Sequence, residues 1–105
     1  MSEVKLIKVK LVTPSGGECE FECESLRMKA QDNAKGNGGG GFGVRYGHAA
    51  ALAALDKGAL LAFNNGKLTK KLYISGGFAQ IRHDSVVVIT DSYEAREDGE
   101  TDAFL

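Results

Sequence analysis

YISGGFAQIRHDSVVVITD, residues 73–91, reads as two consecutive strands, the first punctuated by a diglycine. Tyr73 and Ile74 open a β-rich run, and Gly76-Gly77 permits the positive φ or close backbone approach that a bulge or sharp bend requires. A polar break at His83-Asp84-Ser85 leads into residues 86–90, which are β-branched throughout.

Upstream, residues 59–63 and 67–74 flank Asn64-Asn65-Gly66, a hairpin whose Asn65-Gly66 pair suits a type I′ turn. Residues 5–13 place Ile7, Val9 and Leu11 on one face and Lys8 and Lys10 on the other, ending in the turn Pro14-Ser15-Gly16-Gly17. Residues 18–24 alternate strictly, with Cys19, Phe21 and Cys23 facing inward and Glu18, Glu20, Glu22 and Glu24 outward, a half-buried strand with one wet face. Leu26, Met28 and Ala30 continue the inward period, and Arg27 and Lys29 stand available as cross-strand partners for acidic neighbours. Residues 31–41, polar and glycine-rich, form a loop, while AAALAAL at 49–55 has the intrinsic propensity of a helix. The acidic tail, 92–105, lacks a long apolar period and is expected to be frayed or a short stub. Short strands between frequent turns make one all-β domain over 1–105, a sandwich or a barrel of mostly antiparallel strands.

With 105 residues the chain is long enough to bury a core without disulfides or metals, and fourteen glycines against one proline fit a turn-rich β protein. A net charge of −1 gives no general pull toward nucleic acid or anionic lipid. No run reaches the length of a membrane span, and the first residues lack the apolar stretch of a signal peptide, so the chain is expected to be soluble and unexported. Cys19 and Cys23 lie about 13 Å apart on one extended strand, too far to bridge each other, and both are expected to be buried, reduced and poorly accessible thiols.

Few residues invite chemistry. Gly36-x-Gly38-x-x-Gly41 formally matches a dinucleotide fingerprint, but neither the strand nor the full helix that the motif needs flanks it, and no Gly-Lys-[Ser/Thr] follows. His48 and His83 have no Cys, Asp or Glu at metal-ligand spacing, and no serine sits in a nucleophile elbow. His48 reads as a turn residue bonding nearby backbone and His83 as an exposed hairpin residue. The glutamate row places successive carboxylates about 7 Å apart without an apolar pocket, as expected of a solvated face. No catalytic group, metal or cofactor is expected.

Two segments carry a family resemblance. Residues 40–58, with Gly40, Gly43-Val44, Gly47-His48-Ala49, Leu52 and Gly58, and residues 73–91, with Tyr73-Ile74-Ser75-Gly76-Gly77, align without gaps to the N-terminal β-sandwich domain of F-type ATP synthase epsilon subunits, the delta subunit of mitochondria. The chain departs from the family pattern at Tyr46, Ala50 and His83, where prolines are usual, at Lys57-Gly58, which lacks an intervening proline, and at Gly41, where an acidic residue is usual. The resemblance implies a β-sandwich with residues 49–55 extended, one helical turn being allowed there, and makes 31–41 an insertion. It further implies that the usual C-terminal helical hairpin is absent.

By that resemblance the chain is a non-catalytic central-stalk subunit that docks gamma to the c-ring and couples rotation to ATP synthesis. It would lie peripherally at the cytoplasmic face of a bacterial inner membrane, or at the organellar equivalent, touching membrane only through the complex. The implied contacts are Gly40, Phe42, Val44, Arg45, Tyr46 and His48 at a ring-facing loop, with Tyr73, Ser75, Gly76 and Gly77 near gamma. Phe42, Val44 and Tyr46 read as exposed anchors between glycines. The competing reading is a stand-alone β-sandwich in which the glycine loop and His48 bind a small ligand or a peptide.

Overall fold

The computed structural model describes residues 5–30 and 41–95. Within them the chain forms ten strands: β1 (Ile7–Val12), β2 (Glu18–Cys23), β3 (Ser25–Lys29), β4 (Gly41–Arg45), β5 (Ala51–Leu55), β6 (Gly58–Asn64), β7 (Lys67–Ile74), β8 (Gly77–Ile81), β9 (Ser85–Ile89) and β10 (Tyr93–Ala95). One sheet has the order β2-β1-β9-β8-β5, and the other β10-β7-β6-β3-β4. Every pairing is antiparallel except β1 with β9. The two inner faces supply one core: Ile7, Val9, Leu11, Leu55, Ala79, Ile81, Val86 and Val88 from the first sheet meet Leu26, Met28, Val44, Leu60, Ala62, Leu72 and Ile74 from the second. The architecture is the β-sandwich that the resemblance implied.

Each local signal finds its place with one recurrent adjustment. Asn65 and Gly66 both take positive φ, 56° and 73°, and close the β6–β7 hairpin as a type I′ turn. Residues 51–55 are extended throughout: pairing with β8 and burial of Leu55 override alanine's helix propensity. The adjustment lies at the sheet corners. Residues 18–30 are not one continuing strand, because the chain leaves the first sheet at Cys23 and enters the second at Ser25, with the Glu24 N–H donating to the Phe63 carbonyl at 3.1 Å. Likewise Gly76-Gly77 is no bulge inside one strand; it carries the chain from β7 in the second sheet to β8 in the first, with φ of 104° and 130°.

The acidic row behaves as a wet face, with Lys10 lying opposite Glu20 and within 3.9 Å of both Glu18 and Glu20 carboxylates. Of the segment expected to be frayed or a stub, Tyr93–Ala95 pairs with the end of β7, and 96–105 lie outside the described residues. Both cysteines are free, Cys19 half-buried and Cys23 fully buried. Burial pushes the Cys23 thiol up from 9.0 to about 11. In the unfolded chain that thiol ionises first, so its contribution to stability is full below pH 9.0 and is lost as pH rises toward about 11. Cys23→Ala is expected to remove this part of the alkaline loss of stability in urea titrations. Native thiol labelling should modify Cys19 well before Cys23, and equal rates would contradict the burial.

Candidate functional surfaces

The residues singled out from the sequence fall into two groups that the fold keeps apart. Arg45 pairs with Ser25, which pairs with Phe63 at the far end of β6, whereas Ile74 pairs with Gly58 at its beginning. The turn after β4 and the corner after β7 therefore lie at opposite ends of the second sheet, about 20 Å apart along β6, and toward opposite margins of it.

At the first end, β4 delivers its residues alternately. Phe42 is half-buried against the core and Val44 is fully buried in it, opposite Leu26. Val44 is therefore a core residue, not the exposed anchor expected, because position 44 points between the sheets. Arg45 is exposed and Tyr46 is 42% exposed, the strand having ended between them. Gly40 lies outside the described residues.

The turn that follows is fixed to the β8–β9 hairpin of the other sheet. Gly47, at φ 91°, donates its N–H to the His83 carbonyl at 2.6 Å, and the His48 N–H closes back on the Arg45 carbonyl at 3.1 Å. The Tyr46 ring meets the His83 ring edge-on at 5.9 Å, and the Lys5 ammonium sits 5.3 Å from its centroid. His48 Nδ1 lies 2.6 Å from the Ala49 carbonyl, an acceptor only, so Nδ1 carries the proton. That is the backbone-bonded turn residue expected.

Beside this turn, on the outer face of β3 and β4, opens a groove of about 620 Å³ whose lining includes Glu24, Ser25, Arg27, Gly43, Arg45 and His48. Arg27 and Lys29 were both expected to face acids; among the described residues Lys29 does, at 3.9 Å from Asp56, and Arg27 does not. Arg27 instead lies across the glycines of β4, its Nη2 3.1 Å from where a Cβ on Gly41 would stand.

At the opposite end, a knot of hydroxyls holds the β7–β8 corner. Ser75 and Thr90 hydroxyls share a hydrogen bond of 3.2 Å, Thr90 donates to the Ser92 carbonyl, and the Ser92 N–H donates to Ser75 Oγ. Tyr73 is half-buried and Gly76 buried, so the corner presents Ser75 and part of Tyr73. Next to it the outer face of the first sheet carries a feature the sequence reading missed. Leu52, Phe78 and Ile89 are 72%, 54% and 50% exposed, with Phe78 directly opposite Ile89. The signal was parity: Ala79, Ile81, Val86 and Val88 face the core, which leaves Phe78 and Ile89 for the outside. Among the described residues no three His, Cys, Asp or Glu side chains gather as a metal site, and no helix is long and apolar enough to cross a membrane.

The family model described as ATP synthase, Delta/Epsilon chain, beta-sandwich domain matches residues 6–96. The ATP synthase epsilon chain of Anoxybacillus flavithermus is 36% identical over 95 residues, covering 90% of this chain and 65% of that one. The epsilon chain of Myxococcus xanthus is 32% identical over 88 residues, covering 84% and 59%. The chain therefore spans less than two thirds of the length of these curated relatives. Among solved structures, a chain of the Euglena gracilis mitochondrial ATP synthase, OSCP/F1/c-ring, superposes with a TM-score of 0.67 at 20% identity, over 89% of this chain and 54% of that one. A chain from the Tetrahymena thermophila mitochondrial ATP synthase central stalk and c-ring gives 0.59 at 16% identity, over 94% and 73%. These two likenesses concern the fold.

Proposed function

The chain belongs to the ATP synthase delta/epsilon β-sandwich family, and we infer from this that it is the docking part of a central-stalk epsilon subunit, joining gamma to the c-ring without catalysing a reaction itself. It would then lie at the cytoplasmic face of a bacterial inner membrane, or the organellar equivalent, held there by the complex. The observation that carries the reading is the separation of the two residue groups to opposite ends of one sheet, since a part that links two partners needs two surfaces.

Between those surfaces lies a closed, close-packed core, and a body of that density deforms little under torque. The ring-facing surface is the turn with Arg45, Tyr46 and His48, whereas Phe42 turns toward the core and is not the exposed anchor expected. The gamma-facing surface is the corner of Tyr73, Ser75 and Gly77, with Gly76 buried beneath it and not the contact expected, and the apolar row of Leu52, Phe78 and Ile89 beside it. Contiguous exposed apolar side chains of this kind mark contact faces more often than free surface.

Reconstitution with gamma and c-ring from the same source tests the reading. Tyr46→Ala combined with His48→Ala should sharply reduce recovery of the chain with the ring while lowering stability by only about 1 kcal/mol, the scale of partly exposed sites. Normal co-assembly of the double variant would remove the turn from the contact surface. Failure of the unaltered chain to co-purify with gamma would favour the stand-alone module instead.

A further inference from the structure

We propose that the outer face of β3 and β4 is a recognition site for an acidic, extended peptide segment of a partner protein, held through Arg27 and Arg45. The two arginines are diagonal neighbours: Ser25 stands opposite Arg45 and Arg27 opposite Gly43, while the residues between them, Leu26 and Val44, point into the core. Both side chains are exposed, and among the described residues neither has a carboxylate within ion-pairing distance. Glu24 lines the same groove without reaching either guanidinium. The Glu24 carboxylate accepts the Asn65 N–H, and Asp56 is paired with Lys29. Two guanidinium groups thus share one groove with a single carboxylate, and among the described residues neither is ion-paired.

Local backbone makes room for a ligand there. Gly41 and Gly43 leave the outer side of β4 ahead of Arg45 without side chains, and the Arg27 guanidinium lies over that stretch of the strand. A planar guanidinium presents paired N–H groups that match a carboxylate bidentately. Diagonal cross-strand neighbours stand about 7 Å apart, and alternate side chains of an extended chain repeat at nearly the same distance. Carboxylates two residues apart on an extended segment therefore fit both arginines at once. A phosphate group fits less well, because the groove has no helix N-terminus or nest of backbone N–H groups to surround it. Position on the fold helps as well. Among the described residues β4 ends its sheet, so a segment can approach along the strand without displacing any of them. The proposal does not depend on the rotor reading, since it concerns binding by this chain alone.

The test uses the full chain, a hexapeptide alternating Glu and Thr, and its Gln counterpart, at low ionic strength. Fluorescence anisotropy should show saturable binding of the Glu peptide only, and the Nε–H resonances of Arg27 and Arg45 should both shift. Arg27→Gln and Arg45→Gln should each weaken binding about tenfold, the worth of one charge-assisted contact. Gly41→Glu would place a carboxylate on Arg27 from within, at the cost of moving only the flexible end of that side chain. It should abolish peptide binding while the thermal unfolding of the chain stays near that of the parent. Equal binding of the Gln peptide, or binding indifferent to these substitutions, would overturn the proposal. So would displacement of the peptide by millimolar inorganic phosphate or by phosphatidylglycerol vesicles, which would make the groove a general anion or lipid site. Self-association through the exposed row of Glu18, Glu20 and Glu22 in place of peptide binding would also overturn it.

Discussion

Gly77→Ala is expected to take away a large share of the stability of the chain. A Cβ at this position would stand 1.9 Å from the Ile89 carbonyl oxygen, 3.0 Å from the Ile89 carbonyl carbon and 3.1 Å from the Thr90 Cα. All three are backbone atoms at the end of β9 or just beyond it, so no rotamer change relieves the clash. Gly77 also has a φ of 130°, outside the range of L side chains. Phe78 pairs with Ile89 one residue on, and the start of β8 would have to part from the end of β9, breaking the ladder at the centre of the first sheet. The cost should exceed about 4 kcal/mol, against a total stability of about 5–15 kcal/mol for a domain of ordinary size.

Gly66→Ala provides the control. Gly66 also has a positive φ, 73°, but its Cβ would meet open space, so only the backbone term of about 1 kcal/mol applies. Urea unfolding of the two variants should therefore differ widely. A Gly77→Ala chain within about 1 kcal/mol of the parent would mean that β8 and β9 do not approach as described.

The same glycine shows what the sequence made legible and what it hid. Its need for unusual backbone was readable from Gly76-Gly77 alone; the destination of the chain after it was not. Parity was the available sign. Buried positions run Leu72 and Ile74 before the diglycine and Ala79 and Ile81 after it, an even-to-odd switch. A second switch, from Cys23 to Leu26, stands at the other corner. Within one strand parity is fixed by the pleat, so each switch marks a residue spent on turning from one sheet to the other. The Asn65-Gly66 hairpin needed no such inference, because its turn chemistry is local. Residues 51–55 were the reverse case, where local propensity pointed to helix and only the family pattern pointed to strand.

Surface residues were harder to read than the core. Tyr46 and Arg45 emerge where the strand ends, and strand ends are set by pairing with β3 rather than by composition. Arg27 appeared as an ordinary partner for an acid. Its actual neighbours, Gly41 and Gly43, come from a strand fourteen or more residues away in sequence, across a segment whose length gives no register. Leu52, Phe78 and Ile89 were hidden in runs apolar on both faces, which look like interior whichever side is wet.

Val44 gives the sharpest separation of a core role from a contact role within this one loop. Its side chain has no exposed surface and packs in the inter-sheet cluster opposite Leu26. Val44→Asp would put a carboxylate there with no partner, a change costing several kcal/mol whether the group stays charged or takes up a proton. The chain is expected to be unfolded at neutral pH and to lose assembly for that reason. Because burial raises the pKa of the introduced carboxyl in the folded state, stability should return in part as pH falls and be lost again as pH rises through that value. Val44→Ala, which leaves a small cavity and no charge, should cost about 2 kcal/mol and keep assembly with gamma and the ring. Tyr46→Ala with His48→Ala gives the opposite pattern, a folded chain that assembles poorly. Circular dichroism against pH, run beside the co-purification assay, separates the two. A Val44→Asp chain that folds like the parent yet fails to join the complex would make position 44 a surface anchor and reverse the assignment of the inner face of β4.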